Sequence, residues 1–109
     1  MSERLKIFLD EYRKSVKNIF GETEFRIILY GSYARGDFTE TSDIDIMIIV
    51  DSQPEKISFY ADRIYDITYD YELKYNKEIN PNVQSCQIYE RWKNVYPFFA
   101  NIEKDGIAV

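Results

Sequence analysis

Histidine is absent from this chain, and cysteine occurs once, at Cys86. Without histidine there is no imidazole base, no serine-histidine triad and little scope for zinc chemistry. With one cysteine there is no intrachain disulfide and no cysteine-rich metal site, which suits a reducing compartment; we expect the cytoplasm. Acid-base work and metal binding are left to carboxylates. An excess of basic residues is also missing: 14 Lys and Arg face 19 Asp and Glu, a net charge of −5. The usual basic footprint of a protein that grips duplex nucleic acid by its backbone is therefore lacking. No apolar run is long enough to span a membrane, and Met1 to Asp10 lacks the apolar core of a signal peptide.

What is present is a globular composition, 45% apolar over 109 residues. That bounds the chain to one domain, residues 1–109, with a single modest core. Self-association is compatible with this size. The periodicity predicts an amphipathic helix over 3–19, with Leu5, Phe8, Leu9, Tyr12, Val16 and Ile19 on its inner face, Ser2 at its start and Gly21 at its end. Phe25 to Tyr30 reads as a strand closed by Gly31. A short helix or turn begins near Ser32, and a second strand runs from about Asp43 to Val50. Ser52-Gln53-Pro54-Glu55 has the pattern of a capping box opening a long helix to about Tyr75. The outer face of that helix carries Phe59, Tyr69 and Leu73 among Asp62, Asp66 and Asp70, the make-up of a protein-binding surface. Glu78 to Gln84 is a third strand, placed at a sheet edge by Pro81. Ser85 caps a last helical segment that Pro97 kinks or splits near Asn94. Asp105-Gly106 ends it, and Ile107 to Val109 is a short strand or a frayed tail.

The chemistry is concentrated in two short stretches. Asp43 and Asp45 stand two apart at the start of an apolar strand, Ile44-Asp45-Ile46-Met47-Ile48-Ile49-Val50. Side chains two apart on a strand share a face, so both carboxylates point the same way. Holding two like charges half-buried costs several kcal/mol unless a counter-charge joins them. A divalent cation is the simplest such partner. Just upstream, Gly31-Ser32 ends the first strand. Glycine lets an anion approach the main chain, Ser32 adds a hydroxyl donor, and Arg35 adds a positive charge one turn on.

Gly31-Ser32-Tyr33-Ala34-Arg35-Gly36 followed by Ser42-Asp43-Ile44-Asp45 resembles the signature of the nucleotidyltransferase superfamily that includes DNA polymerase beta. More narrowly it is similar to the minimal nucleotidyltransferases, small single-domain proteins often found as antitoxins beside HEPN-domain toxins. The resemblance implies an α/β nucleotidyltransferase fold: a three-stranded mixed sheet flanked by about four helices, mainly on one face. It implies Mg²⁺, two ions held by Asp43 and Asp45, with ATP as donor and Gly31, Ser32, Arg35 and Ser42 as nucleotide-binding residues. It also implies a protein acceptor, a HEPN toxin silenced by AMP transfer. Many members carry a third catalytic aspartate on the strand occupied here by Glu78-Ile79-Asn80-Pro81-Asn82. This chain offers Glu78 as the catalytic carboxylate and asparagine at the other two positions. Two other activities fit the same residues: neutralisation of a partner by contact alone, and nucleotidylation of a small molecule with a separate substrate-binding subunit.

Overall fold

The computed structural model describes residues 1–109. Helix α1 (Glu3–Phe20) starts where the Ser2 side chain accepts the Leu5 N–H at 3.2 Å. Strand β1 (Phe25–Tyr30) is followed by the four-residue helix α2 (Ser32–Arg35) and by β2 (Ile44–Val50). Then come α3 (Ile57–Tyr75), β3 (Ile79–Ser85), α4 (Cys86–Trp92), α5 (Pro97–Asp105) and β4 (Ile107–Ala108).

The sheet has four strands in the order β3-β2-β1-β4, not three. The added strand is the C-terminal tail, which lies antiparallel on β1 with Leu29 opposite Ile107 and Ile28 opposite Ala108. The Val109 N–H reaches Ile27 O at 2.9 Å. An uncovered edge of β1 would leave a row of unpaired amides, and the tail satisfies part of it. β1 and β2 are antiparallel, whereas β2 and β3 are parallel and joined through α3.

Helices number five, and they cover both faces of the sheet, so the expectation of helices mainly on one face is corrected. On one face Ile44, Ile46, Ile48 and Val50 of β2 pack with Ile27 and Leu29 against α1 and α3. On the other, Ile28, Met47 and Ile49 are buried under Tyr89, Phe99 and Ile102 of α4 and α5. The reason lies in β2 itself. Beyond Asp45 it is apolar on both sides, and a strand of that kind must be covered twice.

One boundary also differs from expectation. The long helix is not opened by a capping box at Ser52: a single 3₁₀ turn, Pro54–Lys56, precedes α3, with Gln53 as its extended N-terminal flank. Proline disfavours helical backbone in the residue before it, so Gln53 stays extended and the turn starts one residue late. Pro97 splits the last helical segment, as expected, and takes the first position of α5. Ser85 caps α4, its hydroxyl accepting the Ile88 N–H at 3.1 Å.

Pro81 sits in the outermost strand without disrupting it. Ile44 N–H donates to Glu78 O at 2.9 Å. In a parallel pair this phase turns the backbone groups of even-numbered β3 residues toward β2 and those of odd-numbered ones outward. The missing N–H of Pro81 thus faces away from the ladder.

Candidate active site

β2 brings Asp45 to the open end of the sheet, and Asp43 precedes it on the same side. Both are partly buried. The side-chain amide of Asn80 donates to Asp43 Oδ2 at 3.0 Å and to Asp45 Oδ1 at 3.3 Å, so one nitrogen touches an oxygen of each carboxylate. Asn80 reaches them because it is the register partner of Asp45 in the parallel β2–β3 pair. Burial pushes the Asp45 carboxyl up from the ordinary aspartate range; the Asn80 hydrogen bond opposes this, the charge of Asp43 adds to it, and the charge of Arg35 opposes it.

Gly31 lies against the same carboxylate. Its φ is +73° with ψ −155°, and a Cβ built there would collide with Asp45 Oδ2. Only glycine combines that backbone with that approach. Ser32 opens α2, where the first amides have no intrahelical acceptor. Arg35 closes α2 and its Nε donates to Asp37 Oδ2 at 3.2 Å. Ser42 is engaged in the loop: its hydroxyl accepts the Thr39 N–H at 2.8 Å, and its own N–H donates to Thr39 O at 3.1 Å. It therefore fixes the approach to Asp43 and turns its hydroxyl into the loop. Glu78 is exposed, one residue before β3; hydrogen bonding to Asp43, then the charge of Asp43, pushes its carboxyl up.

The structure thus brings Gly31, Asp43 and Asp45 together and sets Glu78 beside Asp43. Two further neighbours of the pair carry no signal in the sequence. In the sequence Asn80 stands only as an asparagine on a strand where many members carry an acid, and its bridging position follows from strand register. Tyr30 stands directly opposite Asp45 across β1–β2. Burial, then the charge of Asp45, pushes its phenol up to about 12, so it stays protonated. Its ring packs edge-on against Phe98 with centroids 5.7 Å apart.

The donor set suits a hard divalent ion. Two carboxylate oxygens that one small atom can touch at once can also share one cation, and Mg²⁺ is commonly held by one or two carboxylates plus substrate phosphates. No group of three or more His, Cys, Asp or Glu is arranged to hold a metal. Among the acids, Asp43 and Asp45 are the pair that would hold such an ion.

A family model described as "Nucleotidyltransferase domain" matches residues 9–105. A Methanocaldococcus jannaschii protein named "Putative protein adenylyltransferase MJ0141" is 40% identical over 101 residues, covering 93% of this chain and 94% of that protein. A second protein of that organism, named "Putative protein adenylyltransferase MJ0604", is 36% identical over 98 residues, 90% of each chain. Among solved structures, a crystal structure described as a "putative nucleotidyltransferase" from Sulfolobus solfataricus superposes with a TM-score of 0.59. It covers 96% of this chain and 78% of that one at 20% identity, a likeness of fold. This chain belongs to the nucleotidyltransferase-domain family.

Proposed function

We propose that this nucleotidyltransferase transfers AMP from ATP to a hydroxyl of a partner protein, and that the acceptor is a HEPN-domain toxin which the modification silences. The observation that carries the reading is the convergence of Asp43 and Asp45 beside Gly31. Relatives that span nearly the whole chain and are named as protein adenylyltransferases support AMP and a protein acceptor.

Asp43 and Asp45 would hold the Mg²⁺. When bound, the metal supplies charge neutralisation to the triphosphate and to the attacking and leaving oxygens. Gly31 leaves room for phosphate at the turn, Ser32 donates to it, and Arg35 swings from Asp37 to meet the departing pyrophosphate. The acceptor oxygen forms a bond to the α-phosphorus as the bond to the β-phosphate oxygen breaks. Its proton passes to Glu78 or to water, and pyrophosphate leaves. The protein supplies position and charge, with no covalent nucleophile.

The acceptor would approach over α4 and α5. Those helices cover the sheet face that bears Asp45 and Tyr30, while the apolar stripe on α3 lies behind the other face. Val95, Tyr96 and Phe98 are exposed together at the α4–α5 corner, with Phe98 against Tyr30.

The test is incubation with labelled ATP, Mg²⁺ and the co-expressed product of the adjacent gene. Label should enter that protein, with Asp43→Asn and Asp45→Asn reducing it at least about a thousandfold while both variants remain folded by circular dichroism. Neutralisation of the toxin by the Asn variants, without label, would instead establish action by contact. Label only on a small molecule would establish the third activity.

A further inference from the structure

We propose that Asn80 is the neutral third member of the metal site, and that the nucleotide-free protein retains a single divalent ion. This rests on the reading above, since it concerns the same ion. Three observations lead to it. Asn80 is the β3 residue in register with Asp45, so the sheet itself, not a loop, delivers it to the carboxylates. Its Nδ2 lies 3.0 Å from Asp43 Oδ2 and 3.3 Å from Asp45 Oδ1, so one side chain reaches both carboxylates. And no third acid joins the pair in metal-holding geometry.

A carboxamide has two faces of opposite character. The NH₂ group donates and the carbonyl oxygen accepts, or binds hard cations. The NH₂ group lies between two carboxylates and offsets part of their repulsion. Rotation about χ2 would present Oδ1 to an ion that takes the place of the amide protons. Asn80 would thus keep the aspartates convergent in one state and complete the coordination in the other. An acid at this position would instead add a third negative charge to a pair that already repels. Charge also sets the stoichiometry. Two carboxylates balance one divalent ion, and a second such ion needs the negative charge of the triphosphate to enter. The two-ion arrangement implied by the family resemblance would then be assembled only with nucleotide.

The experiment is Mn²⁺ titration of the nucleotide-free protein followed by electron paramagnetic resonance, with Asn80→Leu and Asn80→Asp compared with wild type. Wild type should bind one ion. Asn80→Leu should bind it about ten-fold more weakly. Asn80→Asp should bind the first ion more tightly and admit a second. In parallel, the side-chain ¹⁵N–¹H₂ resonances of Asn80 should shift as Mg²⁺ is added and saturate with it, a signature that a merely structural amide would not give. Asn80 is exposed on the outermost strand, so melting curves of both variants serve as the folding control. Unchanged affinity in Asn80→Leu, immobile Asn80 resonances, or two equivalent ions in the free wild type would each overturn the proposal and leave the transferase reading standing. Wild type that binds no Mn²⁺ without nucleotide would likewise overturn the proposal, whereas failure to bind Mn²⁺ even in the presence of ATP would overturn both.

Discussion

Gly31 shows how one residue without a side chain can fix a site. The Asp45 carboxylate occupies the space a Cβ would fill, and the backbone there is in a region that essentially only glycine adopts. Gly31→Ala should therefore lose transfer through displacement of Asp45 and also lose about 1–3 kcal/mol of stability. The urea midpoint measures the second effect, and labelled-ATP transfer the first. The glycine and the two aspartates were legible as a unit in the sequence because each is unusual where it stands: a glycine closing a strand, and an acid between isoleucines. Asn80 was not. An asparagine in a weak strand carries no pattern of its own, and its value appears only when the parallel register sets it beside Asp45.

Between elements, the clearest polar junction joins α1 to α3. Glu11 accepts from Lys74 Nζ at 2.7 Å and from Tyr75 Oη at 2.7 Å, while Tyr71 donates to the Glu11 carbonyl at 3.1 Å. The Lys74 bond, then the Tyr75 bond, holds the Glu11 carboxyl below its ordinary range. A lowered folded-state pKa stabilises the fold at pH above the unfolded value, and that contribution fades as pH falls through the folded value. Glu11→Gln should then lower the melting temperature near neutrality, modestly because the pair is exposed, and the gap from wild type should close as the solution is acidified into the carboxylate range. Thermal melts of both proteins across pH provide the check. The inner faces of α1 and α3 were readable from their apolar spacing, but this junction was not, because nothing local ties Glu11 to residues more than sixty positions away. The α4–α5 corner makes a second prediction. Tyr96→Ser with Phe98→Ser should lower AMP transfer to a protein acceptor at least about ten-fold. Mg²⁺-ATP binding by calorimetry should stay as in wild type, and the pair Phe59→Ser with Tyr69→Ser on α3 should leave both quantities unchanged.

Across the whole molecule, the order of elements was legible and the layering was not. Alternation of helical and extended segments announced an α/β sheet, and Pro81 announced an outer strand. The second layer of helices was not legible because Met47 and Ile49 share their face of β2 with Asp43 and Asp45, and only the acidic end of that face is open. At the C-terminal end the sequence left a short strand and a frayed tail as alternatives, because two residues, Ile107–Ala108, give no periodicity to read. Pro81 has a consequence for how copies of the protein meet. Its outward-facing position withholds a donor from the only long unpaired border, and the opposite border is just two residues of β4. Neighbouring molecules thus find little backbone to zip onto. Pro81→Val, which restores an N–H in a good strand former, should leave the monomer folded yet produce concentration-dependent assemblies in sedimentation velocity, enriched in intermolecular β-structure by infrared spectroscopy.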